Sequence, residues 1–117
     1  MNRANQNRLN SPIITRVIEL NKYLLRISDK AFKLIKRNYL DAILKQGATL
    51  FNYAMRQLKG LDYKKRSCDL VYEIQSNIYF ISALGGCDAR SCAIIDRFCD
   101  EILEMLGKLS NVSTEKS

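Results

Sequence analysis

The sequence contains no histidine and no tryptophan, only one proline, at Pro12, and only five glycines. Without histidine, the commonest general base and metal ligand of proteins is missing, which argues against most catalytic sites. No apolar run approaches the roughly 18 residues that a membrane-spanning helix needs. The polar, basic N-terminus is not followed by the apolar segment of a signal peptide. We therefore expect a cytoplasmic protein that does not enter the membrane.

The four cysteines, Cys68, Cys87, Cys92 and Cys99, do not match a known metal-binding pattern. They contain no C-x-x-C pair, and Cys99 falls on the apolar side of its own helix. A disulfide framework is not expected without a secretory signal, and glycine-rich phosphate loops are absent. We predict a protein without metal or cofactor that is not an enzyme. An unfamiliar active site stays open as an alternative, with Cys87 or Cys92 held as a thiolate near a helix start.

Hydrophobic periodicity predicts four amphipathic helices. Ser11 is a suitable N-cap for the first, with Pro12 in its first turn, and the helix is expected to run to about Ile27. A turn is then expected over residues 28–30, and residues 31–37 either begin the second helix directly or form a short connecting helix. The second helix spans residues 37–60, and Gly60 is expected to close it just after its last turn. Its core residues recur at three- and four-residue spacings, namely Leu40, Ile43, Leu44, Gly47, Leu50, Phe51, Ala54, Met55 and Leu58.

The third helix is predicted over residues 63–84 with Asp62 as its N-cap, and the fourth begins after Asp88. Four such helices joined by short turns predict an all-α fold, an up-down-up-down antiparallel four-helix bundle. The bundle is expected over residues 12–110, between a flexible basic arm over residues 1–11 and a disordered tail over residues 111–117.

Two features predict contacts beyond a single chain. The first helix is apolar over more of its circumference than one core requires, which favours a homo-oligomer. Tyr72, Tyr79 and Phe80 lie outside the core stripe of the third helix. Packing between protomers is the preferred interpretation of these rings, and stacking on nucleic-acid bases is the alternative.

The charge is divided unevenly along the chain. Residues 1–66 carry a net charge of +11 and residues 67–117 a net charge of −4, which together give the overall +7. A basic half suggests a polyanionic partner, RNA or DNA, bound through phosphates with little sequence preference. The candidate binding residues are the basic side chains in and around the second helix, namely Lys30, Lys33, Lys36, Arg37, Lys45, Arg56, Lys59, Lys64, Lys65 and Arg66.

Four helices, the basic second helix, the short turn into the third and the ending DEILEMLGKL (Asp100 to Leu109) resemble a four-helix-bundle superfamily. It includes the accessory variability determinant of diversity-generating retroelements and the proteins encoded in intervening sequences of 23S ribosomal RNA. The likeness covers about residues 12–110 and rests on helix order, spacing and charge. The second helix lacks the Asn-Ile-Ala-Glu-Gly-like ending of the intervening-sequence branch, and Ala31-Phe32-Lys33 replaces a Phe-Pro-Lys element common in the family. The retroelement branch is therefore preferred.

The resemblance implies a homopentamer with a strongly positive surface that binds RNA or DNA. It also implies a reverse transcriptase as partner, whose mutagenic cDNA synthesis (mutagenic retrohoming) this non-catalytic protein would support. Two alternatives stay open: an intervening-sequence-type protein, and a structural bundle whose basic face binds an acidic protein.

Overall fold

The computed structural model describes residues 9–109, and their fold is an all-α four-helix bundle. Helix α1 is Pro12–Lys30. Helix α2 covers residues 33–58 in three consecutive segments, which are α-helical Lys33–Ile35, π-helical Lys36–Leu40 and α-helical Asp41–Leu58. Helix α3 is Lys64–Ala83 and helix α4 is Ala89–Lys108. The predictions of a basic arm and of a C-terminal tail fall almost wholly on residues 1–8 and 110–117, outside the described residues.

The helices form a closed ring of antiparallel neighbours. Each helix packs along the next one in the chain, and α4 packs back against α1. Between them lies a core of aliphatic side chains contributed by all four helices, among them Ile14, Leu20, Leu24, Leu50, Ile74, Ile78, Ile95, Ile102 and Leu106. The predicted core stripe of α2 is confirmed, because each of its members is buried or packs against the buried cluster.

The helix ends confirm three of the predicted signals. The Ser11 hydroxyl accepts a hydrogen bond from the Ile14 backbone N–H at 3.4 Å, and the Asp88 carboxylate accepts one from the Ser91 N–H at 2.7 Å. Gly60 ends α2 with φ +96°, a left-handed conformation that glycine adopts without strain. The signals that depend on local backbone chemistry alone could therefore be predicted correctly.

Two predicted boundaries are wrong. Helix α1 continues to Lys30 instead of stopping near Ile27, because Ser28 follows Leu24 by four residues and is buried on the same stripe. The N-cap of α3 is Tyr63 instead of Asp62. There the buried Gln57 side chain accepts a hydrogen bond from the Tyr63 backbone N–H at 2.7 Å, so the end of α2 fixes the start of α3.

Gly47 marks the closest approach of α1 and α2. The Asn21 side-chain amide donates to the Val17 carbonyl at 2.9 Å and to the Gly47 carbonyl at 3.1 Å, which ties the two helices together. A Cβ atom at position 47 would collide with the Asn21 side-chain oxygen. Position 47 therefore accepts only glycine without rearrangement of this bridge.

We expect Gly47→Ala to lower the free energy of unfolding by about 1 to 2 kcal/mol, because crowding of Asn21 outweighs the better helix propensity of alanine. Urea unfolding followed by circular dichroism measures the change. Gly107→Ala is the matched control, since no side chain or distant backbone lies within 4 Å of its added Cβ atom. The control is expected to be neutral or up to about 1 kcal/mol more stable. Equal effects of the two substitutions would contradict the close approach at Gly47.

Candidate nucleic-acid interface

Nine of the ten candidate basic residues lie at the two ends of the bundle, and the tenth, Lys45, lies between the ends. Lys30, Lys33, Lys36 and Arg37 surround the turn between α1 and α2, which we call the Phe32 end. Arg56, Lys59, Lys64, Lys65 and Arg66 surround the turn between α2 and α3, which we call the Tyr63 end. The intervening Asp41–Leu58 segment is about 27 Å long at 1.5 Å per residue, with exposed Lys45 on its outer side. The fold therefore creates two separate basic surfaces.

The Tyr63 end is built around an aromatic ring held by two arginines. The Arg56 guanidinium donates to the Tyr63 hydroxyl at 2.8 Å, and its central carbon lies 5.4 Å from the ring centroid. The Arg66 guanidinium lies 4.9 Å from the same centroid. The Tyr53 ring completes the cluster, with its centroid 5.2 Å from that of Tyr63. Both arginines are exposed, so the cluster offers cationic and aromatic groups to the same ligand.

Sequence reasoning missed Tyr53 and Tyr63 as site residues. Tyr63 directly precedes the Lys64–Arg66 run, and an aromatic residue beside a basic run was the available signal. Tyr53 joins the cluster only because the turn at Gly60 brings α3 back against α2, a tertiary contact that helical periodicity does not reveal.

The environment of Tyr63 changes its acidity. Its pKa lies below its ordinary value near 10, first because Arg56 donates a hydrogen bond to the phenol oxygen and then because both guanidinium groups stabilise the negative phenolate. Tyr79 behaves in the opposite way. A hydrogen bond to the Asp96 carboxylate, aided by desolvation and by that negative charge, raises the pKa of Tyr79 to about 12.

We expect an ultraviolet pH titration to show that Tyr63 loses its proton at lower pH than Tyr79. Tyr63→Phe should remove the Tyr63 step, and Arg56→Gln should move that step to higher pH because the phenolate loses its hydrogen-bond donor. Circular dichroism at each pH verifies that the helices persist. An early step that survives in Tyr63→Phe would contradict the cluster.

Lys64 contacts the end of another helix. Its ammonium donates to the backbone carbonyls of Gly107 at 3.2 Å and Leu109 at 3.1 Å, where α4 ends beside the start of α3. A cation is unfavourable at the N-terminus of its own helix, yet it is favourable at the C-terminus of the antiparallel neighbour. Lys64 therefore caps α4, while Lys65 is exposed and forms only a 4.0 Å ion pair with Asp69.

The Phe32 end combines basic residues with exposed apolar ones. The side chain of Phe32 is 79% exposed and that of Leu34 is 63% exposed, between Lys30 and Lys36 in the chain. A cleft of about 220 Å³ separates the end of α1 from the α3–α4 turn and is lined by Tyr23, Arg26, Ile27, Lys30, Ala31, Phe32, Gly85, Gly86, Cys87, Asp88 and Ser91. Exposed apolar groups of this size are typical of protein contacts.

The α3–α4 face has the opposite character. The Gln75 amide donates to the carboxylates of Asp96 and Asp100, each at 2.9 Å, and the same Asp96 accepts the Tyr79 phenol. These acids would repel a phosphate backbone. The predicted alternative of base stacking is therefore not favoured for Tyr79, whereas Phe80 lies on the other flank of α3 and contacts the Tyr39 ring at 5.7 Å.

The cysteines do not resemble an activated site. All four are free, and burial raises the pKa of Cys87 to about 11 and that of Cys99 to about 12. The shift at Cys87 is opposite to the one that a reactive thiolate near a helix start requires. Within residues 9–109, no group of three or more cysteine or acidic side chains is placed to hold a metal ion.

Most of the apolar side chains of α1 pack inside the bundle. Ile18, Tyr23 and Ile27 are half-buried against the core, and only Leu25 among the large apolar side chains of α1 is clearly exposed, at 58%. Leu25 borders a shallow apolar groove of about 370 Å³ between α1 and α2, together with Ile18 and Phe51. The apolar surface that α1 leaves exposed is therefore at this groove, and it is smaller than the sequence suggested.

None of the helices in the described part of the chain is both long and apolar enough to cross a membrane. Comparison with known proteins adds no relative: no protein-family model, no curated protein and no solved structure matches this chain.

Proposed function

We propose that this protein is a non-catalytic accessory protein that binds RNA or DNA, with the Tyr63 end as its principal contact surface. The observation that carries the proposal is the contact of the Tyr63 ring with the guanidinium groups of both Arg56 and Arg66 at an exposed end of the bundle. Arginine binds phosphate through a planar fork of donors, and aromatic rings stack on bases. Exposed Lys59 and Lys65 add charge beside the cluster.

The resemblance described above extends this proposal to a biological setting. We propose a reverse transcriptase of a diversity-generating retroelement as the protein partner and a homopentamer as the assembly. The exposed apolar side chains of Phe32 and Leu34 are the surface suited to that partner, because large exposed apolar groups favour protein contacts. Nucleic acid would then bind at the Tyr63 end, and the protein partner would bind at Phe32 and Leu34.

Fluorescence anisotropy with a labelled mixed-sequence oligonucleotide tests nucleic-acid binding. We expect the logarithm of the association constant to fall linearly with the logarithm of salt concentration, because bound phosphates release counterions. Arg56, Lys59, Lys65 and Arg66 together predict a slope of roughly −3 on single strands, at about −0.7 per phosphate neutralised. Absence of binding at low salt would overturn the proposed function and favour the alternative of an acidic protein partner.

The retroelement setting has its own test. We expect a reverse transcriptase gene to be encoded beside this chain, and its product to co-purify with the chain on co-expression. Phe32→Ser with Leu34→Ser should reduce that co-purification. Retention of nucleic-acid binding by the same variant would show that the two ends act separately. A neighbourhood without a reverse transcriptase would overturn the retroelement assignment and leave the nucleic-acid proposal in place.

A further inference from the structure

Three pairs of planar side chains bridge α2 and α3 along one face of the bundle. On α2 the members are Tyr39, Gln46 and Tyr53, which are seven residues apart and therefore lie along one side of the helix. Their respective partners are Phe80 and Asn77 on α3 and Tyr63 in the turn before α3. The contacts are 5.7 Å between ring centroids for Tyr39–Phe80, 3.1 Å for the Asn77–Gln46 hydrogen bond and 5.2 Å between ring centroids for Tyr53–Tyr63.

The Tyr39–Phe80 pair is the most exposed of the three. Phe80 is 53% exposed and Tyr39 is 37% exposed, while the other four side chains are half-buried. A cleft of about 120 Å³ opens at the Tyr39–Phe80 pair, bordered also by Asn38, Ala42 and Asn77. The π-helical segment Lys36–Leu40 places Tyr39 there, and such segments are frequent at functional sites.

The charges on this face complement a nucleic-acid strand at both ends. Arg56 and Arg66 surround Tyr63 at one end, and the exposed residues Lys36 and Arg37 directly precede the Tyr39 region at the other. An acidic side chain, Glu73, lies along the path. Glu73 is exposed and lies seven residues from both Arg66 and Phe80, on the same side of α3 as both.

We propose that the α2–α3 face binds a single strand of RNA or DNA. Bases stack at the two aromatic pairs, and the Gln46–Asn77 amides meet a base edge between them. The inference rests on the proposed function and specifies its substrate class. Tyr39 and Tyr53 are about 21 Å apart along the helix, which corresponds to about six nucleotides at 3.4 Å per stacked base. A duplex is excluded from such contacts because its bases are paired inside the helix, whereas single strands offer free ring faces.

Competition between a 12-nucleotide single strand and the corresponding duplex tests the preference. We expect the single strand to bind at least tenfold more tightly at equal salt. Phe80→Ala should weaken single-strand binding about fivefold or more, the loss expected for one stacked base. Tyr72→Ala is the matched control, because Tyr72 is equally exposed on the other flank of α3, and its binding should be unchanged.

A second test removes the negative charge of Glu73, and here we expect binding to become stronger instead of weaker. Glu73→Gln should strengthen single-strand binding about twofold or more, because the strand then passes one negative charge fewer. Glu104→Gln on α4 makes the same charge change and also releases Lys108 from its 3.2 Å ion pair, yet it should not strengthen binding comparably.

The outcomes separate the inference from the proposed function. The proposed single-strand site on the α2–α3 face would be overturned by either of two results. One is equal affinity for duplex and single strand, and the other is equal effects of Phe80→Ala and Tyr72→Ala. If Arg56→Gln and Arg66→Gln still weaken binding in that case, the proposed function stands. Absence of any binding at low salt would overturn both.

Discussion

Simultaneous replacement of Arg56 and Arg66 by glutamine is expected to weaken binding of mixed-sequence single-stranded RNA at least tenfold. The two guanidinium groups are the exposed cations that contact Tyr63, and their loss removes two phosphate contacts at one point of the surface. The salt slope should also become shallower by about 1.4, at roughly 0.7 for each phosphate contact with a single strand. Anisotropy titrations at several salt concentrations measure both quantities.

The control for this variant is Arg90→Gln with Arg97→Gln. It produces the same change in net charge on exposed residues of α4, away from the Tyr63 end. If binding depends only on the overall charge of the protein, the two double variants will lose affinity equally, which would contradict a localised site. Circular dichroism of each variant excludes loss of helix as the cause.

Leu24→Ala is expected to lower the free energy of unfolding by about 2 to 5 kcal/mol, whereas Leu25→Ala should change it by less than about 0.5 kcal/mol. The two leucines are adjacent in α1, yet Leu24 is completely buried and Leu25 is 58% exposed. Truncation of Leu24 leaves a cavity in the core, whereas truncation of Leu25 removes atoms that already contact solvent. Urea unfolding at low protein concentration measures both changes.

The same pair of variants addresses the oligomer. If the α1–α2 groove beside Leu25 is covered by a second copy, Leu25→Ala will lower the mass measured by light scattering and make unfolding depend on protein concentration. A monomeric parent protein would overturn the proposed pentamer. Equal destabilisation by both substitutions at low concentration would contradict the orientation of α1 in the fold.

Much of the fold could be predicted from the sequence because its signals are local. Ser11, Asp88 and Gly60 act through backbone groups a few residues away, and the stripe from Leu40 to Leu58 repeats with the period of one helix. The end of α1 was harder to predict from the sequence. Ser28 is polar but buried, and its burial depends on neighbouring helices.

Which residues come together in the site depends on how the helices pack against one another. The basic residues form one tract in the sequence, but the length of the Asp41–Leu58 segment, about 27 Å at 1.5 Å per residue, places the two halves of the tract at opposite ends of the bundle. The antiparallel packing of α4 against α3 brings the C-terminus of α4 to Lys64, which explains a cation that is unfavourable for its own helix. Pairing of Tyr53 with Tyr63 and of Gln46 with Asn77 likewise requires the register between α2 and α3, which single-helix periodicity does not contain.

Chemical-shift mapping by NMR tests the central claim most directly. The uniformly ¹⁵N-labelled protein is titrated with an unlabelled 12-nucleotide single strand at low salt, and the perturbed backbone and arginine side-chain signals are assigned. We predict that the largest changes occur at Arg56, Tyr63 and Arg66 and extend along the α2–α3 face toward Phe80. Changes confined to the α1–α4 face, or none at saturating strand concentration, would contradict the proposed binding surface.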